Sequence, residues 1–303
     1  MDTEGQRRSD NFEDRGRGAG DGRTAMALPI QALFGLVRFL GIKGTLAVVA
    51  VVGGGYFLLP SGIKQQLFGS EGDPSSGGVG AASVCEASPS NAKACDFSRV
   101  ILASTEDVWT ATFRRGELPS YRSAQVQYSD PTLVVFALSV DTGCGTATSA
   151  VGPFYCPRDR RLYIDPAFYR VLERRLRVPG DFAQAYVIAH EVGHHVQNLI
   201  GATSVRPRGE TANEISVRVE LQADCFAGVW GHTARASLAI DDKDLREAVN
   251  AAHAIGDDAL GNTNVADYTH GTSAQRMRWF RRGFETGDAR QCDTFSAASP
   301  RAL

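Results

Sequence analysis

Apolar residues recur with helical spacing along much of the chain after residue 96. Repeats at i, i+3, i+4 and i+7 place such residues on one face of a helix. They predict helices over residues 97–113, 167–176, 181–201, 213–236, 241–257 and 274–283. Apolar runs bounded by turn residues predict strands over residues 124–128, 132–140 and 161–165. We therefore expect an α+β domain, mainly helical with a small sheet.

A longer apolar run lies ahead of these elements, over residues 30–59. Residues 39–59 have about the length of a bilayer span if Lys43 extends its amine to the interface. Basic residues are frequent before the run and sparse after it, so the positive-inside rule predicts one transmembrane helix with a cytoplasmic N-terminus. A buried helix of a soluble domain is the alternative, but Gly53, Gly54 and Gly55 are poor residues for a water-soluble helix.

Two polar regions flank the apolar run. Residues 1–29 are rich in Arg, Asp, Glu and Gly, which predicts a disordered cytoplasmic tail. Residues 60–93 are rich in Gly, Ser, Pro and Ala, which predicts a flexible linker. The remaining residues, 94–303, are then the folded domain, on the outer side of the cell (inner) membrane.

The charge of the chain narrows the range of partners. Its 32 Lys and Arg residues nearly balance its 34 Asp and Glu residues, for a net charge of −2. A near-neutral chain gives no reason to expect nucleic acid as a partner. The oligomeric state is left open by the sequence.

All six cysteines follow the apolar run: Cys85, Cys95, Cys144, Cys156, Cys225 and Cys292. An even number on the predicted outer side indicates disulfides formed in an oxidising compartment. Fifteen pairings are possible, and short loops favour Cys85–Cys95 and Cys144–Cys156, which leaves Cys225 with Cys292. The alternative, a structural zinc–cysteine site, lacks any C-x-x-C pair.

The predicted helix over residues 181–201 contains the sequence His190-Glu191-Val192-Gly193-His194. Histidines four residues apart lie on one helix face about one turn apart, so both can bind a single Zn²⁺. Glu191 follows the first histidine and is the candidate general base for an attacking water. The alternative is two surface histidines on an ordinary helix, but the pattern is rare and this helix has an apolar face. One zinc ion per chain is therefore expected.

A carboxylate on the next helix is the candidate third ligand. Glu220 would complete a His₂Glu site, and Asp224, one turn later, could accept the free ring N–H of a ligand histidine. Two solvated acids on an amphipathic helix would have the same spacing. Glu210, Glu214 and Asp181 are rival ligands.

Two further features bear on a substrate. His270 lies in a polar turn before the last predicted helix, where it could hydrogen-bond an oxyanion or cap that helix. The strand over residues 161–165 lies just upstream of the metal helix, and zinc peptidases commonly bind extended peptide along such an edge. A plain sheet edge without a ligand is the alternative.

Several longer motifs together resemble the bacterial family described as "putative neutral zinc metallopeptidase". They are Gly152–Pro157, Tyr163–Asp165, Gly180–Ala183, Ala185–Gln197, Glu220–Cys225, Ala254–Asp258, Thr269–Ser273 and Cys292–Phe295, and even Arg7–Asp14 is similar to the start of that family. The resemblance implies a single-pass membrane protein with a zincin-like metallopeptidase domain that acts on a peptide or protein substrate.

A second resemblance concerns the candidate site. The Glu220 and Asp224 pair looks like the helix of membrane-associated gluzincins in which a glutamate binds zinc and an aspartate orients a histidine. Thr269-His270, followed by Arg276, is similar to the Thr-His-Pro stretch of those enzymes, although Gly271 replaces the proline here.

The sequence therefore predicts a membrane-anchored, zinc-dependent endopeptidase with Glu191 and His270 as catalytic residues. A zinc amidase acting on cell-wall peptides is one alternative, since its metal chemistry would be the same. A zinc-stabilised, tethered binding module is another, but a purely structural site has no use for a general base such as Glu191.

Overall fold

A computed structural model describes residues 1–17, 82–121, 126–174, 176–299 and 302–303. In chain order its helices are α1 (Pro89–Arg115), α2 (Ala167–Arg174), α3 (Asp181–Ile200), α4 (Ala212–Thr233), α5 (Asp242–Ala254) and α6 (Ser273–Thr286). Its strands are β1 (Phe12–Arg17), β2 (Thr132–Ala137), β3 (Ser139–Thr142), β4 (Gly145–Thr148), β5 (Phe154–Cys156) and β6 (Arg161–Ile164). The predicted α+β class with a small sheet is confirmed.

Helix α3 lies at the centre of the fold, and local signals set its length. The negative side chain of Asp181 in the first turn interacts favourably with the helix dipole. Gly201 ends the helix with a left-handed φ of 83°. Nearly every side chain between these ends is buried, against the sheet side as well as against α4 and α5. The neighbouring α4 and α6 each begin with a capping box, which satisfies their first free N–H groups.

The main sheet has the strand order β1-β2-β6-β5. Strands β1, β2 and β6 are parallel, and β5 runs antiparallel to β6 at one edge. The expectation that residues 161–165 provide the free edge is wrong, because β6 is paired on both sides. The edge belongs instead to β5, which has only three residues and is too short to show an alternating pattern.

The amino-terminal residues belong to this fold, so the prediction of disorder over residues 1–29 is wrong for residues 1–17. Phe12 of β1 pairs in register with Leu133 of β2. Arg7 lies 2.9 Å from the buried carboxylate of Glu106, and the Ser9 hydroxyl donates to the same carboxylate. Composition indicated disorder because these charges find their partners only in the tertiary structure.

The predicted linker over residues 60–93 is likewise wrong from residue 82 onward. Ser88 caps α1 by accepting a hydrogen bond from the Asn91 N–H, and a proline follows at the first helical position. The folded part therefore begins before residue 94. The Arg17 N–H donates to the Ala82 carbonyl at 3.1 Å, so the two residues that flank residues 18–81 are in contact.

The contact between Arg17 and Ala82 bears on the predicted membrane topology. Within the described residues no helix is both long and apolar enough to cross a bilayer, and the predicted span over residues 30–59 lies outside them. A single crossing there would separate β1 from the rest of its sheet. The predicted arrangement, with a cytoplasmic N-terminus and an outer metal domain, is therefore incompatible with residues 1–17 and 82–303 forming one compact unit.

All three favoured disulfides are present: Cys85–Cys95, Cys144–Cys156 and Cys225–Cys292. The first joins the turn before α1 to that helix, and the second joins the β3–β4 hairpin to β5. The third ties α4 to the chain segment that follows α6.

Two glycines let α4 and α6 cross with their backbones in contact. A Cβ added at Gly283 would lie 1.9 Å from the Cys225 carbonyl oxygen, and one at Gly228 would lie 2.1 Å from the Phe280 carbonyl oxygen. Any larger residue would force these helices apart. The close crossing brings Arg276 of α6 against Asp224 of α4.

Candidate metal centre

The structure brings three of the predicted ligands together at the α3–α4 crossing. His190 Nε2 lies 3.2 Å from one oxygen of Glu220, and His194 Nε2 lies 3.4 Å from the other. The ligand atoms of His190, His194 and Glu220 all lie within 4.8 Å of one another. The three residues can therefore bind one metal ion.

A close approach of α3 and α4 makes this meeting possible. Gly193 lies between the two histidines, and a Cβ there would be 3.0 Å from the Ala223 carbonyl oxygen. That distance is already tight, so a larger side chain would push α4 away. Gly193 thus brings the Glu220 carboxylate within reach of both rings.

The site strongly attracts positive charge. Burial alone favours a neutral His190 ring, but the carboxylates of Asp224 and Glu220 outweigh burial and raise the pKa of His190 to about 10. Burial alone would raise the pKa of Glu220, but its two histidine neighbours and Arg276 lower that pKa well below its ordinary value. Glu220 is therefore ionised at neutral pH and available as a ligand.

Asp224 orients the His190 ring through its Nδ1 atom. One carboxylate oxygen lies 2.9 Å from His190 Nδ1 and accepts a hydrogen bond of 2.5 Å from the Tyr186 hydroxyl. Arg276 donates to both oxygens, at 2.8 and 2.9 Å. Asp224 is completely buried, which disfavours its charge, but Arg276 and the His190 hydrogen bond lower the pKa of Asp224. The aspartate is thus an ionised acceptor that leaves His190 Nε2 facing Glu220.

His194 is oriented by a different residue. Its Nδ1 lies 2.8 Å from the side-chain oxygen of Gln197, one turn further along α3. The Gln197 amide nitrogen in turn donates to the Val219 carbonyl and to Gln222 on α4. Both histidines therefore have Nδ1 engaged and Nε2 directed at the same place.

A cavity of about 610 Å³ opens beside the three ligands. Glu191 lines it from α3 and His270 from the loop before α6. The carboxylate of Glu191 makes none of the ion pairs found among the described residues, whereas Glu220 is enclosed by its neighbours. Glu191 therefore lines the same cavity as the three ligands with a carboxylate that is not engaged in an ion pair within the described part of the chain.

His270 is held in place by Asp257. One oxygen of that buried carboxylate accepts hydrogen bonds from three successive N–H groups, at Thr269, His270 and Gly271, over 2.7 to 2.9 Å. The other oxygen lies 3.1 Å from His270 Nδ1. The half-exposed His270 ring thus keeps Nε2 available to the cavity.

His195, which follows the second ligand, points to the other side of α3, as expected for a non-ligand. Its Nε2 lies 2.6 Å from the Ser129 carbonyl and its Nδ1 lies 3.0 Å from the Tyr155 hydroxyl. Burial lowers the pKa of His195 to about 4, so the ring is neutral at pH 7. Asn198 also donates to Tyr155, and together the two residues tie β5 to the metal helix.

The rival acids are engaged elsewhere. Glu210 pairs with the buried Arg218. Glu214 completes the capping box of α4 with Thr211. Asp181 lies in the first turn of α3, two turns before His190. Glu220 is therefore the acid that the structure places with the histidines.

Comparison with known proteins agrees with this geometry. A family model described as "Putative neutral zinc metallopeptidase" matches residues 1–295. The chain belongs to this family. It is 42% identical to the Escherichia coli K12 protein "Uncharacterized protein YpfJ", over 97% of this chain and 99% of the relative.

A second relative covers less of the chain. "Uncharacterized protein Rv2575" of Mycobacterium tuberculosis H37Rv is 46% identical over 56% of this chain and 64% of its own length. No solved structure gives a significant match.

The donor set fits zinc. Two imidazole nitrogens and one carboxylate, with room left on the cavity side, are typical of catalytic zinc sites. Both rings have their second nitrogen engaged, which is also usual for metal-binding histidines. The family and the site together therefore indicate Zn²⁺ as the metal.

Three supporting residues were not assigned roles from the sequence: Gln197, Tyr186 and Asp257. Gln197 lies three residues after His194, a spacing at which helical side chains meet, so a local signal existed. Asp257 carried no such signal, because it is 13 residues from His270 and its contacts depend on a loop.

Proposed function

We propose that this protein is a zinc-dependent endopeptidase of zincin-like architecture. The observation that carries the proposal is the placement of the His190, His194 and Glu220 ligand atoms within 4.8 Å, with Glu191 lining the adjacent cavity. A site that served only to stabilise the fold would have no need of a carboxylate beside an open ligand position.

Zinc, when bound, supplies a Lewis acid that polarises the scissile carbonyl and acidifies water. Glu191 takes the proton of the attacking water and returns it to the leaving amine. His270 donates its Nδ1–H to Asp257, and in its doubly protonated form its Nε2–H would donate a hydrogen bond to the carbonyl oxygen as negative charge develops there. Asp224 and Gln197 hold the two ligand rings in their orientations throughout.

The substrate backbone would lie along β5. This strand is an edge of the sheet, lines the cavity and contacts α3. An extended peptide can add to such an edge through main-chain hydrogen bonds, independently of its side chains. The Tyr155 contacts with His195 and Asn198 fix the distance between this edge and the metal ligands.

We also propose that the apolar residues 30–59 attach the protein to the cell membrane. Because Arg17 and Ala82 are in contact, both parts of the chain that flank residues 18–81 would lie on one side of that membrane. Three disulfides support the extracytoplasmic side.

The deciding experiment is the Glu191→Gln variant. It preserves the size of the side chain but removes its basicity, so bound zinc should be retained while peptide hydrolysis falls by at least about a hundredfold. Zinc content is measured by elemental analysis and hydrolysis with a quenched fluorescent peptide library. Glu173→Gln, an exposed acid on α2, is the control and should match the wild type.

The Glu220→Gln variant distinguishes a metal ligand from a general base. It should lose zinc as well as activity, whereas Glu191→Gln should lose activity alone. If Glu191→Gln hydrolyses peptides normally, the assigned base is wrong. Cleavage of cell-wall fragments but of no peptide would favour the amidase alternative. Normal zinc binding with no hydrolysis of either substrate would favour the tethered binding module.

A further inference from the structure

Most of the residues that line the cavity beside the metal ligands are uncharged. Apart from the metal group, Glu191, His270 and Arg276, the described residues that line it are uncharged, and most are apolar. The Arg276 guanidinium contacts Asp224 and Glu220, so its charge is already balanced. Glu191 and His270 face the reacting groups in the proposed mechanism, so a charged substrate side chain would find no further partner among the described lining residues.

The hydroxyls of the two tyrosines that line the cavity are engaged as well. Tyr155 accepts a hydrogen bond from Asn198 and contacts His195, and Tyr186 donates to Asp224. Burying a polar or charged group without a partner costs free energy, whereas an apolar group gains free energy from the same burial. The cavity therefore discriminates by polarity.

Apolar side chains also stand at the mouth of this cavity. Val151 is 64% exposed and Leu260 is 57% exposed, and both line it. Among the described residues only five large apolar side chains are exposed, so two at a single cavity are notable. Exposed apolar residues gathered at a cleft are typical of a binding surface.

We infer that this cavity selects a large apolar side chain, such as Leu or Phe, next to the scissile bond, with Val151 and Leu260 covering it. The inference rests on the proposed peptidase function and adds the class of substrate. Removing methylene groups from a side chain that fills such a pocket lowers kcat/KM by roughly 10- to 200-fold per group.

The test uses a matched set of peptides that differ at one position beside the cleaved bond: Leu, Phe, Ala, Lys and Glu. The zinc-loaded wild type should cut the Leu and Phe peptides at least about a hundredfold faster than the Lys and Glu peptides. The position is found first by scanning a random peptide library. Equal rates for all five peptides would overturn the inference.

The Leu260→Lys variant tests whether Leu260 is responsible for this selectivity. It should lower kcat/KM for the Leu peptide by at least about tenfold and raise the Glu-to-Leu rate ratio by at least about tenfold, since the new amine can pair with the glutamate. Val265→Lys is the matched control, because Val265 is 72% exposed but does not line the cavity. An unchanged ratio in Leu260→Lys, or an equal change in Val265→Lys, would contradict the assignment.

A binding measurement separates this inference from the proposed function. Fluorescence anisotropy of labelled peptides with the zinc-loaded Glu191→Gln variant requires no hydrolysis. Tighter binding of the Leu and Phe peptides than of the Lys and Glu peptides would support the selective cavity, even if no peptide were ever cut. Equal binding would reject the selective cavity whatever the activity of the wild type.

Discussion

Individual side chains at the metal centre differ in how far their roles follow from local sequence. His190, His194 and Glu191 could be predicted because four-residue spacing on a helix fixes their relative positions. Glu220 could only be one of several candidate acids, since its meeting with the histidines depends on how α3 and α4 pack. Gly193 decides that packing through the absence of a side chain.

Gln197 provides a prediction at this scale. Gln197→Met removes the acceptor of the His194 ring N–H while nearly keeping the side-chain volume, so zinc affinity should fall roughly 10- to 100-fold. Gln222→Met is the matched control, because Gln222 is also buried and hydrogen-bonded but does not touch His194. Competition with a chromogenic chelator measures affinity, and thermal melting shows whether the two variants lose similar stability.

Both variants should be destabilised, but only Gln197→Met should lose zinc affinity. Equal affinities would mean that His194 is oriented by the packing of its ring rather than by its hydrogen bond. A drop in both would indicate that the hydrogen bond from Gln197 to Gln222 is also needed to orient His194, or that zinc binding responds to the general stability of the α3–α4 contact.

At the scale of elements, the helices were predictable and the sheet only partly so. Apolar periodicity and end signals located the six helices of the described residues to within several residues, apart from an extra two turns at the start of α1. Strand β5 was missed because three residues show no pattern, although it forms the edge nearest the metal ligands. Its position comes from Tyr155 and the Cys156 disulfide, both of which are tertiary contacts.

The crossing of α4 and α6 yields the second prediction. Replacing a helical glycine by alanine usually stabilises a helix by about 1 kcal/mol. Gly283→Ala should instead destabilise the protein by about 1–3 kcal/mol or more, because its Cβ would meet the Cys225 carbonyl. Denaturant unfolding measures the change, and the exposed Arg281→Ala on the same helix should change stability by less than about 0.5 kcal/mol.

The same variant should weaken zinc binding, because α6 carries Arg276 and a displaced α6 would leave Asp224 without its counter-charge. A Gly283→Ala variant as stable as the wild type would show that the two backbones are not in contact.

For the whole molecule, composition misled the prediction. Residues 1–17 look like a solvated tail because they are charged, but Arg7 and Ser9 contact the buried carboxylate of Glu106, which lies 97 residues after Ser9 in the chain. Contacts between residues so far apart in the chain cannot be predicted from local sequence patterns. The domain boundary at residue 94 was wrong for the same reason.

Chemical labelling can test whether residues 1–17 and 82–303 lie on the same side of the membrane. Asp10→Cys and Glu173→Cys place a thiol on exposed positions before and after residues 18–81. A membrane-impermeant maleimide added to spheroplasts should label both, since both are proposed to be extracytoplasmic. Labelling of Glu173→Cys alone would show that β1 does not join this sheet in the cell, and labelling of neither would place the domain inside.

The hydrogen bond between Arg17 and Ala82 also makes residues 18–81 a removable insertion. Replacing them with a bridge of a few glycines and serines shortens a closed loop and should gain on the order of 2 kcal/mol in chain entropy. A truncation that starts at residue 82 should behave oppositely, because it strips β1 from β2 and removes Arg7 and Ser9 from the carboxylate of Glu106. The bridged and the truncated proteins are compared by their melting temperatures and zinc contents. The bridged chain, rather than the truncated one, is thus the form expected to yield a water-soluble metalloprotein for crystallisation.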